Sequence, residues 1–381
     1  MDFGCTPAQQ QLWDDVLQFA RDQLCEDVIA RDREGIFPRD AWQKGAAKGI
    51  LGLYIPSQYG GSGLDMVTTI HAMEALGYGC TDNGFTLAVN GQMWAVQEPI
   101  LHFGTEAQKM RYLPPLLDGR MIGAHGMTER DSGSNAFALQ TVARKVEGGY
   151  RLSGEKVYIG MGPIADLILA FATVNPARGR WGITAFLVDA RAEGVTQGAP
   201  RGKMGLRTNP MGEITFEDVF VADDDRLGPE GAGASIFNAA MQYERSFIFA
   251  SHVGSMARQL DETVRFVNSR EVGGQPISRY QSVTNRLADM KVRLETARHF
   301  LYRAAWRLDQ GDDATLDAAM AKLVIGENFL RNSEDAIRIH GGQGVLTDYE
   351  VERDLRDAMG GVIYSGTSDI QRNLIAGLLG S

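Results

Sequence analysis

Cysteine is scarce in this chain: Cys5, Cys25 and Cys80 are the only three among 381 residues, and no two share a C-x-x-C spacing. An odd, scattered set supplies neither a disulfide framework nor a zinc site. Histidine is almost as sparse, and the six residues show no H-E-x-x-H or similar ligand spacing, so no metal is expected. Positive charge is outweighed, and a formal net charge of -10 argues against a general nucleic-acid binder. No apolar run nears the roughly 20 residues of a membrane span. The opening "MDFGCTPAQQ" lacks the basic-then-apolar order of a signal peptide. A cytoplasmic, reducing location follows as the expectation, with no membrane or nucleic-acid partner. There is no G-x-S-x-G elbow to support a Ser/His/Asp nucleophile, and no internal repeat.

What remains is an ordinary globular composition, 44% hydrophobic and 23% charged. The length predicts about two or three structural units. Residues 1–122 read as a helical N-terminal domain. Thr6-Pro7-Ala8-Gln9 forms a capping box with Pro at the first helical position, and Trp13, Val16, Leu17, Ala20 and Leu24 follow at helical spacing. Residues 123–232 change texture. "YRLSGEKVYIG", "DLILAFATV", "ITAFLVDA" and "EITFEDVFV" are short, β-branched or aromatic, and bounded by Gly, Pro or Asp, which predicts an antiparallel β domain. In residues 233–381 Leu287, Met290, Leu294, Ala297 and Leu301 step by three and four, which predicts a C-terminal four-helix bundle.

Within "FNAAMQYERSFIFASHVG", read as one long helix, Glu244 shares a face with Phe237, Ala240, Met241 and Ile248. A carboxylate there is costly unless paired or raised in pKa. Two readings stay open on pattern alone: a bundle Glu paired with a neighbouring Arg, or a general base. Arg245 is not the obvious partner, because successive helical residues point about 100° apart. "MTERDSGSNAFALQT" and "IHGGQGVLTD" offer Gly-rich turns that read either as plain loops or as places where backbone amides approach a phosphate. "VIYSGTSDIQR" sets a polar, Gly-broken turn between two apolar helical stretches.

Taken in order, "LLDGRMIGAHGMTERDSGSN", "YRLSGEKVYIGMG", "KMGLRTNPMGEITFEDVFV", "RIHGGQGVLTDYEVERDLRDA" and "YSGTSDIQR" resemble the acyl-CoA dehydrogenase flavoprotein family over nearly the whole chain. The resemblance implies an α+β fold, helical then β then bundle, with FAD between the β domain and the bundle. It places Met127 and Thr128 against the isoalloxazine, Gly133 and Ser134 near the pyrophosphate, and Tyr158 beside the flavin. It places Arg270, Arg338 and Gly342 at the FAD of a neighbouring subunit, and Thr367 at the cofactor phosphates. Shared cofactor sites imply a dimer, and the family is commonly a homotetramer, a dimer of dimers. In most members a Glu follows the Tyr of the last motif, and here that residue is Ser365. Isovaleryl-type members carry the base on the first bundle helix instead, where this chain has Glu244.

The implied reaction is α,β-dehydrogenation of an acyl thioester. Glu244 takes the α-proton, the β-hydride goes to flavin N5, and the Ser365 amide meets the thioester oxygen. Tyr364, Gly366 and Arg245 line the substrate. Departures from the family are Tyr158-Ile159-Gly160 for the usual W-I-T or W-I-S, Gly273 for a Phe, and His125 for an aromatic residue. Gly160 cannot offer a hydroxyl to N5, and His125 either bonds the flavin or fills space. Loss of the Trp puts oxygen beside an electron-transfer flavoprotein as electron acceptor. Such departures resemble members of specialised biosynthesis that act on carrier-protein acyl or aminoacyl groups, proline-type oxidases among them. Arg201, Lys203 and Arg207 read as a solvated loop or as contacts to CoA phosphates or an acidic carrier domain. The alternatives are a flavin-dependent monooxygenase on the same fold and a non-catalytic thioester-binding protein.

Overall fold

A computed structural model describes residues 4–380, so the first three residues of "MDFGCTPAQQ" and the last residue of the chain lie outside it. Helix α1 (Pro7–Gln23) starts on the expected capping box. Thr6 Oγ1 accepts from the Gln9 amide at 3.2 Å, and Gln9 Oε1 accepts from the Thr6 amide at 3.0 Å. Then come α2 (Val28–Glu34), α3 (Arg39–Ala47), α4 (Met66–Gly79), α5 (Asn83–Gly91), α6 (Glu98–Phe103) and α7 (Glu106–Leu117). Between α5 and α6 the chain stays helical but widens to π geometry over Gln92–Gln97.

The middle of the chain carries β1 (Gly123–Gly126), β2 (Val142–Val146), β3 (Gly149–Gly160), β4 (Leu167–Thr173), β5 (Ile183–Asp189), β6 (Val195–Gln197), β7 (Met211–Ala222) and β8 (Arg226–Leu227). They form one sheet in the order β6-β7-β3-β2-β4-β5-β8, with β1 also on β4. Most neighbours are antiparallel, as predicted, but β1 and β2 each run parallel to β4, so the sheet is mixed. β4 explains the unbroken apolar run "LILAFAT". Leu167, Leu169 and Phe171 join the core shared with the helices, while Ile168, Ala170 and Ala172 face a second core with Tyr150, Phe186 and Phe216.

The C-terminal part consists of α8 (Gly233–Phe247), α9 (Ala250–Ser269), a small hairpin of β9 (Glu271–Val272) and β10 (Gln275–Pro276), then α10 (Gln281–Asp309), α11 (Thr315–His340), α12 (Val351–Gly361) and α13 (Ser368–Leu378). The single helix expected across 237–254 is interrupted at Ile248 and Phe249. Ser246 Oγ donates back to the Gln242 carbonyl at 2.9 Å, a bond that bends helices. The first domain is locked to this bundle by backbone. A Cβ on Gly77 would lie 1.9 Å from the Ser251 carbonyl oxygen, and one on Gly254 would lie 1.9 Å from that of Glu74. Among the described residues no helix is long and apolar enough to cross a membrane.

Candidate active site

The two residues that the sequence reading linked across 121 positions meet in space. Ser365 Oγ donates to Glu244 Oε1 at 2.8 Å. Glu244 is half-buried near the end of α8. No ion pair among the described residues involves it, so it is not a bundle Glu clamped to an arginine. Ser365 reaches it from a strained turn. Its φ is +53°, followed by +84° at Gly366, where a Cβ would meet Gln371 Nε2 at 2.7 Å. Gln371 Nε2 holds the turn by donating to the carbonyls of Ser365 (3.2 Å) and Gly366 (3.1 Å). Thr367 caps α13, its Oγ1 accepting from the Ile370 amide at 3.2 Å. Among the described residues the Ser365 N–H has no acceptor.

Tyr364 faces the bundle. Its ring stacks on Phe249 at 5.1 Å, and its hydroxyl lies 3.3 Å from His252 Nε2. Desolvation raises the Tyr364 pKa well above 10, with the charges of Asp357 and Glu244 adding to it. Desolvation also pulls His252 down to about 4. Arg245 is half-buried and its Nε has no partner among the described residues. Its burial lowers the pKa, against the opposing pull of Glu244.

From the sheet side, His125 on β1 lies 5.3 Å from the Phe171 ring and 6.0 Å from Phe237, stacked on the latter. Desolvation lowers its pKa while Glu244 raises it, which places the imidazole in the field of that carboxylate. Met127 and Thr128 are pinned by backbone: the Thr128 carbonyl accepts from the Val157 amide at 2.9 Å, and the Met127 carbonyl from Lys156 Nζ at 3.3 Å. Lys156 is fully buried and pairs with Glu129 at 2.7 Å. Glu129 in turn accepts from the amides of Gln140 and Thr141. Sequence reasoning missed this pair. Its only signal is a Lys within the strand pattern "GEKVYIG".

Beside it, β3 slips register between Lys156 and Ile159. The bulge turns Tyr158 outward, with φ +58° and 64% of its surface exposed. A Cβ on Gly160 would lie 3.5 Å from Asn209 Oδ1, a buried oxygen with no partner among the described residues. The Gly133–Ser134 loop is exposed, and a Cβ on Gly133 would touch nothing. An exposed aromatic ring, an orphaned amide oxygen and an open small-residue loop fit a flavin dinucleotide.

Arg270, Arg338 and Gly342 lie elsewhere. All three are exposed at the far end of α9 and α11, where Phe266 stacks on His340 at 4.1 Å. Gly273 has a local cause: with Gly274 it turns the β9–β10 hairpin at φ +61° and +80°. Of the basic loop, Arg201 pairs with Glu213 at 2.7 Å and Arg207 donates to the Arg33 carbonyl at 2.9 Å. Lys203 is not a solvated charge. Its Nζ donates to the carbonyls of Leu206 and Asn209, and burial lowers its pKa to about 8.

A polar corner beside Glu244 also escaped the sequence reading. Glu98 is 1% exposed. Its Oε1 lies 2.9 Å from His102 Nδ1, and its Oε2 has no partner among the described residues. Desolvation raises the Glu98 pKa against the pull of His102, and the Glu244 charge raises it further. The Tyr54 hydroxyl and both amide atoms of Gln97 are buried without partners too. An amide and an acid side by side in the mostly apolar "WAVQEPIL" were the available clue.

A helical domain, a sheet and a bundle in this order, with a carboxylate on the first bundle helix and an open loop that fits a flavin dinucleotide, are the layout of a flavoprotein dehydrogenase. Residues 6–120, 124–219 and 231–379 match the N-terminal, middle and C-terminal domains of acyl-CoA dehydrogenase. The chain belongs to the acyl-CoA dehydrogenase family and is an FAD-dependent oxidoreductase of it. It is 40% identical to an L-prolyl-[peptidyl-carrier protein] dehydrogenase of Pseudomonas fluorescens, covering 99% of both chains. It is 36% identical to a short-chain specific acyl-CoA dehydrogenase of Megasphaera elsdenii, covering 100% of both. Among solved structures, the prolyl acyl carrier protein oxidase AnaB superposes with a TM-score of 0.98 at 44% identity, over 99% of this chain and 100% of that one. PigA with FAD and proline gives 0.97 at 38% identity, over 100% and 99%.

Proposed function

We propose that this enzyme dehydrogenates the α,β-bond of an aminoacyl thioester, with a prolyl group on a carrier protein as the favoured substrate and Glu244 as the base. The observation that carries the reading is the 2.8 Å bond from Ser365 Oγ to Glu244 Oε1. The hydroxyl aims the carboxylate from the position where most of the family keeps its own base. Glu244 removes the α-proton. The Ser365 N–H, free of other acceptors, faces the charge that gathers on the thioester oxygen. Such a preorganised donor typically contributes about 3–4 kcal/mol to the transition state. FAD, when bound, supplies the acceptor for the β-hydride. Met127, Thr128, Tyr158 and Asn209 would hold its ring, and Gly133 and Ser134 its pyrophosphate. Arg270, Arg338 and Gly342, all exposed, suit a neighbouring subunit's cofactor, in keeping with a homotetramer.

Two relatives named for prolyl-carrier substrates, each above 37% identity over nearly the full length, favour a carrier protein over CoA. We retain the division at residues 122 and 232 as our own. The test is anaerobic mixing of holoenzyme with prolyl-carrier protein, prolyl-CoA and butyryl-CoA, following flavin absorbance. Bleaching by the prolyl-carrier thioester is expected, followed by hydrogen peroxide on admission of air if oxygen is the acceptor. Glu244→Gln is expected to keep FAD and lose at least about 10²–10⁴-fold in bleaching rate, the usual range for a general base. An active Gln variant sinks the assignment. Bleaching by added NAD(P)H and not by thioester, with an oxygenated product once air is admitted, would point to a monooxygenase instead.

A further inference from the structure

Among the described residues, Glu98 Oε2 and Tyr54 Oη are buried without partners beside the base, and both amide atoms of Gln97, the residue before Glu98, are buried without partners too. Each such orphan costs about 1–3 kcal/mol when left dry, and folded proteins hold few of them. The walls around them are aromatic. Tyr54 lies 4.8 Å from Trp94, Trp94 lies 5.3 Å from Phe247, and Tyr243 lies 6.3 Å from Phe247. The His102 ring, which holds the other Glu98 oxygen, lies 5.4 Å from Tyr243. Tyr243 and Phe247 flank Glu244 on α8. One half-satisfied carboxylate in a box of aromatic faces is the arrangement that binds an alkylammonium: the carboxylate pairs with its charge and the rings with its field. It is a poor place for a hydrocarbon tail, which would leave every orphan unmatched.

We propose that Glu98, with Tyr54, binds the amine of the acyl group and so selects a cationic aminoacyl thioester over an uncharged one. This rests on the reading of the site as an acyl-thioester dehydrogenase and adds to it the group that reads the substrate. A ring nitrogen next to the α-carbon would sit between Glu98 and Glu244, its charge shared by two carboxylates.

The test compares two pantetheine thioesters of matched shape, L-prolyl and cyclopentanecarbonyl, by anaerobic flavin bleaching. Holoenzyme of the natural sequence is expected to favour the prolyl thioester at least tenfold, as sites built around buried polar groups reject ligands that leave them unpaired. In Glu98→Gln the preference should fall to about twofold, through KM for the prolyl thioester, with the cyclopentanecarbonyl rate retained. Tyr54→Phe should fall in between, and it carries the test if the Glu98 variant fails to fold. An equal loss on both thioesters in either variant, or an unchanged preference, overturns the proposal. Equal rates on both thioesters in the natural enzyme overturn it too, while leaving the dehydrogenase reading intact. If neither thioester bleaches the flavin, the dehydrogenase reading itself fails, and this proposal with it.

Discussion

Two of the buried acidic regions in this fold are built on opposite plans. Where α5, α9 and α12 meet, Asp354 accepts from Asn83 at 2.9 Å, Arg258 at 3.0 Å and Gln259 at 3.3 Å. Asp357 accepts from the Leu206 amide at 2.5 Å and from Asn83 at 3.0 Å. Every carboxylate oxygen there is engaged, and the adjoining α4–α9 crossing leaves no room for a side chain at Gly77 or Gly254. In the corner beside Glu244, one Glu98 oxygen, the Tyr54 hydroxyl and the Gln97 amide have nothing to bond. Burial is similar in the two places, so burial alone does not mark a site. In the first region the carboxylates are fully matched, although Arg258 Nε and Gln259 Oε1 beside them are buried without partners among the described residues; at Glu98 it is the carboxylate itself that is left half-matched.

The contrast can be broken at its stiffest point first. Gly254→Ala puts a methyl 1.9 Å from the Glu74 carbonyl oxygen and 2.5 Å from the Tyr78 amide nitrogen, backbone against backbone. Overpacking typically costs about 1–3 kcal/mol and more where neither side can move, so a loss of about 3 kcal/mol or more is expected in denaturant melts. An unchanged midpoint would show that the junction is loose.

Next in size is a pH effect at the bundle side of Tyr364. His252 is held at about 4 by burial, against 6.5 for an ordinary imidazole. A depressed histidine leaves the unfolded chain binding more protons between those values, so stability is present above pH 6.5 and drains away as pH falls toward 4. The full difference is about 3 kcal/mol. Comparing thermal melts of His252→Gln and the natural protein from pH 7 to pH 4 should show a flatter profile in the variant. A parallel pair of curves counts against the buried neutral ring.

Smallest is the effect of Ser365→Ala, which removes the hydroxyl from Glu244 and leaves the base itself. A loss of about tenfold in bleaching rate is expected, with FAD content unchanged, as one charge-assisted bond is worth about 1.5–3 kcal/mol and a water recovers part of it. No loss would mean that Glu244 needs no guide.

How much of this was legible in the sequence differs between regions for physical reasons. The capping box of α1 and the stripe on α10 are local and periodic, and they stand where they were read. The bend after Phe247 was not legible, because a serine bonding back along its own helix leaves no trace in periodicity. The parallel pairing of β1 with β4 depends on a crossover whose ends lie far apart in the chain. Glu244 facing Ser365 was visible only through family resemblance, since no pattern links positions 121 residues apart. Glu98 was passed over because the apolar text around it reads as core. Which polar atoms in that core would be left without partners depends on packing from three elements at once.

The π-helical segment Gln92–Gln97 carries one more consequence. A wide turn of this kind adds one residue to an α-helix and rotates everything after it by about 100°. Glu98 is the first residue beyond it, so its bearing toward Glu244 is set by a single added position and not by the whole fold. Loss or gain of one residue in this stretch would turn α6 about its axis and carry the Glu98 carboxylate away from Glu244.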